Sequence, residues 1–154
     1  MWAAAGAGLA VAGCAVLWAR RALVLVTVVG DSMEPTLRAG DRVLVRRRRA
    51  RQLARGDVVV LTPPRTRVRT GDRWRVPSEG WNIKRVAALP GDAVPDGVAD
   101  PDGTGLVPPG TLVVLSDNPI GVDSRLWGPY PAGGVIGTPV RVRPAEAVAA
   151  GSRA

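Results

Sequence analysis

The chain reads as an all-β protein, a compact and mostly antiparallel β domain preceded by one N-terminal transmembrane helix. Three observations predict this. Residues 2–19, from Trp2 through Ala19, carry no charge and are rich in Ala, Gly, Val and Leu. From residue 22 onward, short β-branched runs alternate with Gly, Pro and Asp, the pattern of strands joined by turns. No long amphipathic helical repeat follows residue 21. With 154 residues the chain has room for one domain with a modest core. Five Trp, one Tyr and no Phe leave that core to Val, Leu and Ala.

Residues 1–21 form the expected anchor. As a helix, residues 2–19 would run about 27 Å, close to the ~30 Å hydrocarbon thickness of a bilayer. Trp2 and Trp18 fall near its two ends, and Arg20-Arg21 stop it, as interfacial residues do. A cleaved signal peptide would carry its basic residues before the apolar run; here they follow it, so a retained anchor is expected. The domain is expected over residues 22–143, with strands at Leu23 to Val29, Arg42 to Val45, Val58 to Leu61, Ile83 to Leu89, Thr111 to Leu115 and Val135 to Val142. The polar stretch 62–80 reads as a long hairpin or mobile loop. Residues 91–110, with Pro95, Pro101, Pro108 and Pro109 among several aspartates, read as an acidic connector. Residues 144–154 are expected to be a disordered tail.

The charge is uneven. Of a net +8, residues 38–75 supply ten, thirteen arginines against Asp41, Asp57 and Asp72, so the rest sums to minus two. Arg46 to Arg49 and Arg51 lie within that segment. Such a cluster suits nucleic acid phosphates or an anionic bilayer, and equally an ordinary solvated loop. Cys14 is the only cysteine and there is no histidine. These counts exclude an internal disulfide, a thiol redox pair, every Ser-His or Cys-His arrangement and most zinc sites.

Among twenty-one basic residues Lys84 is the only lysine, and it sits in the apolar run Trp81-Asn82-Ile83-Lys84-Arg85-Val86. An arginine there would stay charged. A lysine ammonium in apolar surroundings can lose its proton near neutral pH and become a base. The plain alternative is that arginine bias left one lysine by chance. Of five serines, only Ser32 follows a strand directly, in the turn Gly30-Asp31-Ser32-Met33-Glu34-Pro35. A serine so placed can offer its hydroxyl and its own backbone N–H to a carbonyl, and a neutral lysine can take the hydroxyl proton and return it to a leaving amine. Taken alone, such turns are mostly structural.

Four segments in order resemble type I signal peptidases of the serine–lysine peptidase class, in their small Gram-positive form. They are Gly30 to Leu37 with Ala39-Gly40-Asp41, Arg55 to Leu61, Ile83 to Asp92, and Asp117 to Gly128. The resemblance spans residues 22–142 behind an apolar segment where that family carries its anchor. It implies a membrane-bound serine endopeptidase that removes N-terminal signal peptides after Ala-x-Ala-like sites. Ser32 would be nucleophile and oxyanion donor, and Lys84 the general base. Arg85, Asp117, Asp123, Ser124 and Arg125 would form the charged and polar frame. Val28, Met33, Leu37 and Ile83 would wall the substrate pocket, or simply pack the core. No metal or cofactor is implied. The expected partners are signal-peptide-bearing preproteins and membrane lipids, not nucleic acid, and the expected state is a monomer.

Two departures stand out. Gly30 occupies a place where some members carry a second oxyanion hydroxyl. Ser116 replaces the glycine of the usual Gly-Asp-Asn, while Gly121 stands where a lysine-binding serine would align, which leaves Ser124 or a water to serve the amine. The Asp-Asn-Pro loop also resembles small relatives that trim the nickel superoxide dismutase precursor, an alternative within the same chemistry. A catalytically idle peptide-binding module is a further alternative. A self-cleaving repressor would need a helix-turn-helix where residues 1–21 offer only an apolar span. The positive-inside tendency of Arg20-Arg21 favours a cytoplasmic domain, whereas the resemblance puts it on the extracytoplasmic face of the cell membrane, single-pass; we follow the resemblance.

Overall fold

A computed structural model of the protein describes residues 22–64, 68–70, 73–75 and 80–145. Nine strands are present among them: β1 (Leu23–Thr27), β2 (Arg42–Arg47), β3 (Val58–Leu61), β4 (Val68–Thr70), β5 (Arg73–Arg75), β6 (Asn82–Ala88), β7 (Thr111–Leu115), β8 (Tyr130–Pro131) and β9 (Val135–Arg143). Seven form one antiparallel sheet in the order β1-β2-β9-β3-β6-β7-β8, and β4 and β5 pair separately. The all-β expectation is met, and 62–80 contains a hairpin. The expected anchor, residues 1–21, lies outside the described residues; among these no helix is long and apolar enough to cross a membrane. Of the expected tail, residues 144–154, only Pro144 and Ala145 are among the described residues, and the Ala145 N–H donates to Asp41 Oδ1 at 3.1 Å. Residues 146–154 are outside the description.

The long strand β9 makes the sheet curl. Its start pairs with β3 and its remainder with β2, and the register slips at Leu44/Val45 and at Val60/Leu61. Such bulges bend a ladder and increase its twist. The curl buries β3 on both faces. Val60 joins Val28, Met33, Leu37, Val43, Val45 and Ile83 in one apolar cluster, whereas Val59 and Leu61 join Leu53, Val86, Leu112, Val114 and Tyr130 in another. An uninterrupted Val-Val-Val-Leu run is the expected sequence of a strand with no solvent face.

Three of the five Gly-Asp pairs in the sequence turn out to be one structural device used three times. Asp41, Asp57 and Asp92 each accept the backbone N–H three residues earlier, from Arg38, Ala54 and Leu89, at 2.9, 2.9 and 2.7 Å. The preceding Gly40, Gly56 and Gly91 have φ of 90°, 87° and 85°, a conformation a side chain resists. These carboxylates therefore fix turns, two of them leading into β2 and β3. The Arg46–Arg51 cluster ends β2 and enters a short 3-10 turn at Ala50–Gln52; Arg46, Arg47, Arg49 and Arg51 are exposed.

Candidate active site

The turn between β1 and β2 is held at its base by Val28 N–H to Asp41 O at 2.8 Å and Gly40 N–H to Val28 O at 2.9 Å. Met33 and Leu37 sink into the first apolar cluster from this turn, and Ser32 lies between them and solvent. The Ser32 carbonyl accepts the Asn118 N–H at 3.0 Å and the Asp31 carbonyl accepts Asn118 Nδ2 at 3.2 Å. The turn is thus clamped by the loop that follows β7.

Lys84 stands in β6 directly opposite Val59 of β3, and its side chain is buried. Its Nζ donates to Ser32 Oγ at 2.9 Å and to Ser116 Oγ at 3.0 Å. Register explains the second contact. Arg85 pairs with Leu115 and Val86 with Val114, so one more step of that ladder sets Ser116 opposite Lys84. The same register makes Asp117 a diagonal neighbour of Arg85 on the other face. Arg85 Nε and Nη2 reach Asp117 Oδ1 and Oδ2 at 2.8 and 2.6 Å, Thr36 donates to Oδ2 at 2.5 Å, and Arg85 Nη1 donates to the Gly56 carbonyl at 2.8 Å. Arg85 and Asp117 therefore tie the Ser32 turn to β6 on the face away from the amine.

Asp123, almost fully buried, caps the short helix α1 (Ser124–Trp127) by accepting the Arg125 N–H at 3.0 Å. It also accepts Arg125 Nε and Nη2 at 2.9 and 2.6 Å and the Ser116 N–H at 2.8 Å. Ser124 does not serve the lysine. Its Oγ accepts the Val114 N–H at 3.0 Å, so the hydroxyl beside the amine is that of Ser116. Motif reading named Ser116 only as a departure and gave Asn118 and Thr36 no role; the β6–β7 register shows the contact of the first.

Burial lowers the Lys84 pKa below its ordinary 10.5, with Asp123 opposing and Arg125 assisting. Burial also pushes Asp123 upward, but its hydrogen bonds from Arg125 and Ser116 outweigh this and leave it below 3.8. Arg85 holds the Asp117 carboxyl below the same value, with burial opposing and Thr36 assisting. A neutral amine within hydrogen-bond reach of a serine hydroxyl can accept its proton, which is the geometric requirement for a nucleophile and its base.

Two clefts meet at this pair. One of about 340 Å³ is lined by Val26, Val28, Met33, Trp81, Ile83 and neighbouring groups that include Ser32 and Lys84. The other, about 420 Å³, includes Val29, Gly30, Ile120, Gly121 and Trp127 together with Ser32 and Lys84. Val28, Met33 and Ile83 thus serve both core and cleft, whereas Leu37 belongs to the core cluster and is not among the cleft residues. A smaller groove on the far side, lined by Leu25, Arg42, Leu44, Arg141 and Arg143, contains no nucleophile.

No curated protein matches the chain. The family model described as signal peptidase, peptidase S26, matches residues 2–100, a span that contains both Ser32 and Lys84 and stops short of the clamping loop. On that match, covering well over half of its length, the chain belongs to the signal peptidase family, peptidase S26.

Proposed function

We propose that the protein is a membrane-anchored serine endopeptidase that removes N-terminal signal peptides from secreted precursors, with Ser32 as nucleophile and Lys84 as general base. The 2.9 Å contact between Ser32 Oγ and Lys84 Nζ carries this reading. Lys84 accepts the hydroxyl proton as Ser32 Oγ attacks the scissile carbonyl carbon. The tetrahedral intermediate collapses when the peptide C–N bond breaks, and Lys84 delivers its proton to the departing amine. Water then attacks the acyl ester, Lys84 takes a proton from it, and the proton returns to Ser32 as the carboxylic acid leaves. Among the described residues nothing accepts from the Ser32 N–H, so it is free to donate to the oxyanion, an interaction worth about 3 kcal/mol elsewhere.

The clefts suit an extended peptide with small apolar residues before the cleaved bond, as in Ala-x-Ala sites. The uncharged run 2–19 would hold the chain in the cell membrane as a single span, with the domain on the extracytoplasmic face where signal peptides present their cleavage sites. The protein would act there as a monomer in contact with lipid. A second reading within this chemistry, a dedicated maturation protease such as one for a nickel superoxide dismutase precursor, is favoured by the Ser116–Gly121 loop.

A serine-directed acylating inhibitor should label Ser32 in the parent and leave Ser32→Ala unlabelled. Absence of labelling in a folded parent would favour an idle peptide-binding module. Cleavage of several unrelated precursors would exclude the dedicated protease. Accessibility of the domain to added protease in intact cells tests the orientation; full protection would place it in the cytoplasm.

A further inference from the structure

Ser116 ends the β7 ladder, and Gly121 lies five residues on in the loop that returns to Asp123. A Cβ built at Gly121 would overlap the Cβ and Oγ of Ser116 and would stand 3.1 Å from the Asn118 carbonyl. The loop cannot easily swing aside to relieve this. Gly121 N–H donates to that same carbonyl at 2.9 Å, and Asn118 is itself bonded to Ser32. Gly121 is thus required by side-chain space, and only one of the two positions can carry a side chain.

We infer that Ser116 is the positioning residue of Lys84 and that Gly121 is its exclusive partner, the loop giving up a side chain so that a hydroxyl from the end of β7 can reach the amine. This rests on the serine–lysine reading above. A neutral amine has two N–H bonds and one lone pair, on a side chain with four rotatable bonds. With one N–H held by Ser116 Oγ at 3.0 Å, rotation about the last bond is restricted and the lone pair can turn toward the Ser32 hydroxyl. Asp123 holds the Ser116 backbone in turn, through the Ser116 N–H at 2.8 Å. Positioning therefore runs from Asp123 through Ser116 to Lys84, and Ser124, committed to Val114, takes no part.

The test uses the fact that Lys84 is the only lysine. Full-length protein in detergent, grown on lysine labelled at Cε and Nζ, should give a single side-chain signal that titrates with the amine. Cleavage of a signal-peptide substrate is measured alongside. In Ser116→Ala the ammonium loses an acceptor, so the titration midpoint should fall by about half a unit to one unit. There kcat should drop roughly tenfold to a hundredfold with little change in KM. Gly121→Ser alone should lower Tm, since two side chains then compete for one space. The double exchange Ser116→Gly with Gly121→Ser should bring the midpoint and kcat back toward the parent. An unchanged midpoint and kcat in Ser116→Ala, or a Gly121→Ser as stable as the parent, overturns the inference. A midpoint that responds as expected in a protein that cleaves nothing supports the positioning and counts against the peptidase reading.

Discussion

Ser32 Oγ and Lys84 Nζ lie 2.9 Å apart across fifty-two residues of sequence. Neither side chain is held in place by its local sequence. Ser32 rides on a turn whose Met33 and Leu37 are anchored in the core, and Lys84 belongs to β6, one strand removed from the centre of the sheet. The contact is therefore a product of sheet curvature, and it places an amine where water is largely excluded.

Replacing Lys84 should separate activity from stability. A folded-state ammonium here carries a desolvation cost that the attraction of Asp123 only partly offsets, and no carboxylate touches it among the described residues. Lys84→Met should abolish cleavage and yet match or exceed the parent in Tm at neutral pH, by the logic that removes buried charge at no loss of packing. Lys84→Arg should be equally inactive, since guanidinium stays protonated. Urea or thermal unfolding beside a cleavage assay checks both; measurable turnover in either variant rules out Lys84 as the base.

Activity should rise with pH. The unfolded amine titrates near 10.5 and the folded one lower, because burial outweighs the attraction of Asp123. Between the folded value and 10.5 the unfolded chain binds more protons than the folded one. Stability from this group therefore increases with pH across that window, and the full cost of burial is borne below the folded pKa. Only the neutral amine is a base, so kcat/KM should climb through the same folded pKa. A kcat/KM profile flat from acid to pH ~9 contradicts general-base use of this lysine.

The Arg85–Asp117 pair should matter more for geometry than for charge. Asp117→Asn keeps the shape of the side chain but loses the two-pronged grip and the Thr36 bond, so the Ser32 turn should loosen. We expect a stability loss of about 1–3 kcal/mol, the scale of hydrogen bonds to charged groups, and a fall in kcat larger than any change in KM. The parent's Asp117 carboxyl lies below 3.8; its stabilisation is complete above the unfolded pKa and is lost as pH falls through the folded value. Acid unfolding of the parent should therefore include a component that Asp117→Asn lacks, and identical acid transitions in the two proteins would count against this.

The strand pattern was legible because β-branched runs and Gly-Asp turns are local signals. Val58–Leu61 has the bounds its sequence suggests, whereas β1 stops at Thr27 instead of Val29 because Val28 already pairs with Asp41 in the next turn. The two-residue strand β8 and the four-residue helix α1 are too short to leave a periodicity. Residue type and motif order singled out Ser32 and Lys84, which the structure brings into contact. The contact of Ser116 with Lys84 was not legible, because it comes from the register of β6 against β7 and from an empty side-chain position at Gly121. Those are relations between segments, and no local pattern records them.

Substrate selection should respond to the wall of the smaller cleft. Ile83 packs with Val28 and Val60 in the core and also lines the cleft beside Ser32, so under the proposed function its volume should limit what fits before the cleaved bond. Ile83→Val removes one methylene and should cost about 1 kcal/mol of stability. The space released should ease entry of a larger residue there. Single methylene differences in apolar pockets are worth roughly 1–3 kcal/mol, or about 10- to 200-fold. With two precursors differing only in Ala or Val before the scissile bond, competition in one tube should shift toward the Val precursor by at least about fivefold. An unchanged ratio would mean that Ile83 is a core residue only, and that the boundary of the pocket is drawn by Val28, Met33 or the exposed rim at Trp81.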